Sequence, residues 1–178
     1  MKPFFVLFIS FLLLSCGATV GVDYDEKTDF SQYKTFNFYP SIESGLSDLD
    51  DKRIIKITDS LLRQRGFTRA EDPQFYINFF ASEILTNSRN TIGIGVGGGG
   101  RNVGVGVSGG IPIGGRVINQ RLTVDFIDTE KDDLIWQAVA DGEIKEKAAP
   151  VQKESYYWSV LTKIIKKYPP KENKREKK

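Results

Sequence analysis

Histidine is absent from this 178-residue chain, and cysteine occurs once, as Cys16. Those scarcities remove Ser-His-Asp and Cys-His nucleophilic sites and the usual zinc ligand sets, which need imidazole or several thiolates. A lone thiol also has no internal disulfide partner. Long apolar runs are missing as well: Phe4 to Leu14 is about half of the roughly 20 residues that cross a bilayer. What remains for catalysis is carboxylate chemistry, with Asp23 and Asp25, or Asp125 and Asp128, as the available pairs. Asp23 and Asp25 flank Tyr24 and so fall on the outward face of a strand, where solvated carboxylates are ordinary. Asp125, opposite in phase to Val124 and Phe126, reads the same way, and Asp128 reads as the start of a turn. No catalytic, cofactor-binding or metal-binding residue is therefore assigned, no cofactor is expected, and the chain is read as non-enzymatic.

The start of the chain carries the most specific signal. Met1-Lys2-Pro3, the apolar and serine segment to Leu14, and then Ser15-Cys16-Gly17 have the layout of a secretory signal. Leu13-Leu14-Ser15-Cys16 resembles the lipobox of bacterial lipoproteins, in which diacylglycerol is attached to the thiol and the peptide is cut before the cysteine. The resemblance implies lipid attachment at Cys16, with palmitate-type chains holding the protein in a membrane. Two or more chains make such anchoring stable, each buried methylene contributing about 0.8 kcal/mol. Gly17 stands where enterobacterial lipoproteins kept in the inner membrane usually carry Asp, which points to the outer membrane. Gly17 to Gly21 has no charged stretch of the kind used for surface export, which favours the periplasmic face.

Residues 1–15 thus read as a cleaved signal and 16–19 as a lipidated end with a short tether. About 160 residues are left, enough for one domain with a real core. The net charge of +2 conceals an asymmetry: from Lys163 to Lys178 eight basic residues face only Glu172 and Glu176, a surplus of +6, so the rest carries −4. After Pro169-Pro170 the segment 169–178 reads as a disordered, solvated basic tail. Beside a membrane it would also attract anionic headgroups or envelope polymers. An export signal argues against nucleic acid as a partner.

Alternating apolar residues mark strands at Val20 to Tyr24, Lys34 to Tyr39, Gln74 to Ala81, Arg121 to Asp128 and Asp133 to Ala140. The short polar link Thr129 to Asp132 predicts an antiparallel hairpin between the last two. Ser47 with Asp48, Asp50 and Asp51 caps a helix over about Leu49 to Arg65, with Ile54, Ile55, Thr58, Leu61 and Leu62 on one stripe and Gly66-Phe67 closing it. A second helix runs from about Val151 to Tyr168, its stripe being Tyr157, Val160, Leu161, Ile164 and Ile165. This order predicts an α+β domain over 20–168: a single, largely antiparallel sheet with two helices on one face and a glycine-rich β-hairpin insertion.

That insertion, residues 92–115, is half glycine, with 12 of the chain's 17. Ile92, Ile94 and Val96, then Val103, Val105 and Val107, alternate with glycine, which predicts two strands with one bare face. Gly97, Gly98, Gly99, Gly100, Arg101 and Asn102 would form the turn and are the candidate interaction tip. A bare face admits close approach of another backbone, a ring or a flat surface. The G-x-G-x-x-G string at Gly95 to Gly100 is nearly unavoidable in such a tract, and no helix start or Lys-Ser/Thr pair accompanies it, so it does not read as a phosphate loop.

Val22-Asp23-Tyr24-Asp25, Asp29 to Phe36 with Tyr-Lys-Thr-Phe, Gly66-Phe67, Leu122 to Asp125, Leu134-Ile135-Trp136 and Tyr168-Pro169-Pro170 together resemble the domain-of-unknown-function family numbered 4136. The resemblance covers nearly all of the chain behind the signal and implies a short bacterial envelope lipoprotein. It carries no catalytic residue, and Trp136 and Tyr33 read as packing groups. The leading expectation is a membrane-anchored binding or envelope-assembly module. A binder of lipid or envelope polysaccharide comes second and a carboxylate-dependent hydrolase third.

Overall fold

The computed structural model describes residues 18–87, 91–93, 110–112 and 115–170, so Cys16, Gly97 to Asn102 and the tail beyond Pro170 lie outside the described residues. Alternating side chains build the strands β1 (Thr19–Tyr24), β2 (Thr35–Phe38), β3 (Thr68–Arg69), β4 (Phe75–Asn87), β5 (Thr91–Gly93), β6 (Gly110–Pro112), β7 (Arg116–Asp128) and β8 (Leu134–Lys145). Two helices interrupt them, α1 (Asp48–Gln64) and α2 (Pro150–Ile165), and a 3-10 turn spans Phe30–Gln32. Ser47 caps α1 by accepting from the Asp50 N–H at 3.3 Å. At its end Gly66 takes φ +87, the left-handed conformation that glycine enters without cost. The Phe67 N–H then reaches back to the Leu62 carbonyl at 3.1 Å.

Six strands form one mixed sheet in the order β1-β8-β7-β4-β2-β3. The β1/β8, β8/β7 and β7/β4 pairs are antiparallel, whereas β2 runs parallel to both β4 and β3. The expected largely antiparallel sheet is corrected on this side. Strand periodicity says nothing about partner direction, but α1 lies between β2 and β4, and a helical crossover brings strands together in parallel. The expected β7/β8 hairpin is present, with a bulge between Phe126 and Ile127. β4, β7 and β8 all run several residues further than their apolar patterns, because ladder pairing continues through polar residues such as Ser82, Asn119 and Glu143.

β5 pairs antiparallel with β6, Thr91 opposite Pro112, in a separate two-stranded ladder. Its register continues that of β4 and β7, where Asn87 stands opposite Arg116. The two flanks of the glycine tract therefore prolong the β4/β7 arms. The predicted hairpin turn lies outside the described residues.

Both helices pack on one face. Phe75, Ile77 and Phe79 of β4, Leu122, Val124 and Phe126 of β7, and Trp136, Ala138 and Ala140 of β8 meet Ile54, Ile57, Leu61 and Leu62 of α1 and the whole predicted stripe of α2. On α1 Ile57, outside the expected stripe, is buried, and Ile55, within it, is only partly covered. Each large side chain so buried contributes about 1.5–3 kcal/mol. α2 ends at Ile165, three residues short of the expected Tyr168. Tyr168 instead turns inward, fully buried, with its ring 4.6 Å from Phe126 and 5.3 Å from Trp136.

Candidate functional site

The carboxylates raised by the sequence fall into different surroundings. Asp23 and Asp25 are exposed, and Asp25 caps a turn by accepting from the Lys27 N–H and the Thr28 hydroxyl. Asp128 starts the β7/β8 turn as expected, accepting from the Glu130 and Lys131 N–H groups, and also takes the Tyr33 hydroxyl. Burial raises its pKa, but these bonds outweigh that and hold the group below its ordinary value.

Asp125 departs from expectation. It does face away from the helices, yet it is only 9% exposed. Burial pushes its pKa up, and Gln137, which donates to it at 2.8 Å, offsets this only in part. A carboxyl raised in the fold stabilises it below the ordinary value of 3.8, and that contribution is lost as pH rises through the folded-state value. Asp125→Asn is therefore expected to raise the melting temperature at pH 7 by about 2 °C, under about 1 kcal/mol for this size, and to change nothing at pH 3. Thermal denaturation at the two pH values checks it.

A cleft of about 900 Å³ lies where β1 stops along β8, lined by Ala18 and Thr19, by the last residues of β8 and by the first half of α2. Three side chains define it. Gln120 of β7, 2% exposed, donates through Nε2 to Glu83 at 2.7 Å and to the Tyr157 hydroxyl at 3.1 Å, while its Oε1 has no donor among the described residues. Tyr156 of α2 lies against Gly142 so closely that a Cβ there would come within 2.5 Å of its hydroxyl oxygen. Asp141 takes a two-pronged ion pair from Arg121 at 2.7 and 3.1 Å.

None of these groups is poised for proton transfer near neutrality. The Arg121 hydrogen bonds hold Asp141 below its ordinary value. Burial, with the negative charges of Glu83 and Asp141, pushes Tyr156 well up. Asp125, the only carboxyl raised among the described residues, does not line the cleft. Nor do the described residues gather three metal-ligating side chains. The arrangement suits binding by hydrogen bonds and shape. Sequence reasoning did not single out Gln120, Gly142 or Tyr156, and the available clue was an isolated glycine inside a strand pattern. Cys16 and the Gly97 to Asn102 tip lie outside the described residues, but Ala18, two residues after Cys16, is part of the cleft wall.

Residues 20–170 match the model of DUF4136, a domain of unknown function, and the chain belongs to that family. No curated protein matches it. Among solved structures it is similar to a PDZ domain protein from Parabacteroides distasonis at 15% identity and a TM-score of 0.52, over 88% of this chain. It spans only 37% of that protein, and the likeness is one of fold. A PelC dodecamer from Paraburkholderia phytofirmans (16% identity, TM-score 0.48, covering 83% of this chain and 96% of that one) is more loosely alike. So is a homologue of the neuraminyllactose-binding hemagglutinin from Helicobacter pylori (13%, 0.46, 82% and 88%).

Proposed function

We propose that the chain is a bacterial envelope lipoprotein, held in the outer membrane by acyl chains on Cys16 and facing the periplasm, whose folded part is a non-enzymatic binding or assembly module. The observation that carries the anchor is where the domain begins. β1 starts at Thr19, and Ala18 is already packed against the core, its carbonyl accepting from Lys163 Nζ at 3.1 Å. The lipobox-like cysteine is therefore only two residues from the folded body, and a lipid tether there would set the position of the domain as well as its compartment. The tether is shorter than the sequence alone suggests, because Ala18 and Thr19 are part of the fold. The paired Asp141 and the neutral Gln120 and Tyr156 support binding over hydrolysis, and the partner classes that fit an exported module are an envelope protein, lipid or polysaccharide. The glycine tract, reached along the β4/β7 arms, is the second candidate contact.

Labelled palmitate is expected to enter the wild-type protein and not Cys16→Ala, and the wild type is expected to sediment with outer-membrane fragments. A wild-type chain that takes up no label overturns the anchor. Crosslinking in intact cells, with and without residues 92–115, tests the glycine tract: a partner pattern unchanged by the deletion removes it as a contact.

A further inference from the structure

The β8 edge is only half covered among the described residues. β7 accompanies β8 to Lys145, opposite Val117, but β1 follows its other side only to Asp141, opposite Thr19. The Asp25 N–H donates to the Ile135 carbonyl at 3.1 Å. In an antiparallel pair the bonded positions alternate, so odd-numbered residues of β8 turn their N–H and C=O toward β1. Glu143 presents both groups along the rest of the edge and Lys145 its N–H, the Lys145 carbonyl being taken by the Ala148 N–H at 3.0 Å. The cleft follows the same stretch: Gly142 to Lys145 line one side, Ser155, Tyr156 and Ser159 the other, and Ala18 closes one end. Gln120 belongs to this lining, and its buried Oε1 has no donor among the described residues.

Connectivity brings Cys16 here. Successive Cα atoms are about 3.8 Å apart, so Cys16 lies within about 7.6 Å of Ala18 in any conformation. If β1 keeps its register, Gly17 falls opposite Glu143 and Cys16 opposite Ile144. Side chains alternate faces, which puts Cys16 on the side of Ala18, toward α2.

We propose that the cleft is a seat for the polar head of the protein's own anchor. Gly17 prolongs β1 along Glu143, and the amino end and thioether-linked glycerol of Cys16 lie between β8 and α2, with the acyl chains leaving for the bilayer. This rests on the lipidation of Cys16 proposed above. The lining selects the part that is held. Gln152, Ser155 and Ser159 of α2 are too polar for acyl chains, while Ile144 and Ala148 accommodate the glycerol carbons.

Amide hydrogen exchange tests the seat, comparing lipidated protein in detergent micelles with a lipid-free chain beginning at Ala18. The Glu143 amide is expected to exchange roughly tenfold more slowly in the lipidated protein, the effect of one backbone hydrogen bond of ordinary strength. Ser155→Trp, which fills the cleft, is expected to restore the faster rate while still taking up palmitate label. Unchanged core exchange at Val124 and Phe126 reports that the variant folds, and Ala148→Trp serves if it does not. Equal rates in the lipidated and short chains overturn the seat, as does protection that survives the filled cleft, which would come from the micelle. Absence of palmitate label in the wild type instead overturns the lipidation beneath it.

Discussion

Phe126→Ala is expected to destabilise the domain by about 3–5 kcal/mol, the usual range for emptying a large aromatic site. Phe126 is fully buried at the centre of an aromatic stack, with ring centres 4.8 Å from Phe75, 4.8 Å from Trp136 and 4.6 Å from Tyr168. Those neighbours come from β4, β8 and the residues after α2, so no single element can move to fill the hole. Domains of this size have about 5–15 kcal/mol in total. The melting temperature should fall by about 10 °C or more, at about 2–4 °C per kcal/mol. Thermal or urea denaturation measures it, and a loss below about 1 kcal/mol would show that the stack does not hold the core together.

Asp50→Ala is expected to cost about 2–3 kcal/mol, through a different mechanism. Asp50, 4% exposed, receives Arg53 at 2.7 Å from its own helix and Lys153 at 2.6 Å from α2, so it ties the two helices together. Removing one member of a buried ion pair costs about 3–5 kcal/mol when the other is stranded. Here the Lys153 side chain is 32% exposed and partly rehydrates, which lowers the figure. Burial acts to raise the Asp50 carboxyl, but the bonds from Lys153, Ser47 and Arg53 outweigh it and hold the group below 3.8. Its contribution is therefore complete above that value and lost as pH falls through the folded-state value. Denaturation of wild type and variant should show a full gap at pH 7 that narrows only below pH 3.8. A gap independent of pH would mean that packing, not charge, is lost.

Much of the local structure was legible because its causes are local. Ser47 and the acidic turn behind it start α1 where expected, and Gly66-Phe67 end it. The stripe from Tyr157 to Ile165 needed only helical periodicity. The partner direction of β2 was not legible, because it depends on the crossover through α1 and not on any residue of β2. Tyr168 reads as the last turn of a helix until Phe126 and Trp136 are in place to receive it. Asp125 alternates as a solvent-facing residue should, and only its neighbours on adjacent strands cover it. The cleft is hardest to read, since Gln120, Gly142 and Tyr156 come from three elements and meet only in the folded chain. The Cys16 anchor was read from a local motif, and that motif says nothing of the cleft beside it.

The strand order also sets a timetable. β1, the first strand of the sheet to be made, pairs among the described residues only with β8, its partners running from Trp136 to Asp141. A chain delivered from its amino end thus carries its opening strand unpaired until more than a hundred further residues have arrived, and closing so long a loop is slow. The aromatic core stays open longer still, because its final ring is Tyr168. Acquisition of the native state is in consequence nearly all-or-none at the end of delivery. A chain cut short before α2 is left with part of its apolar face uncovered, which makes it a natural substrate for holding chaperones and proteases.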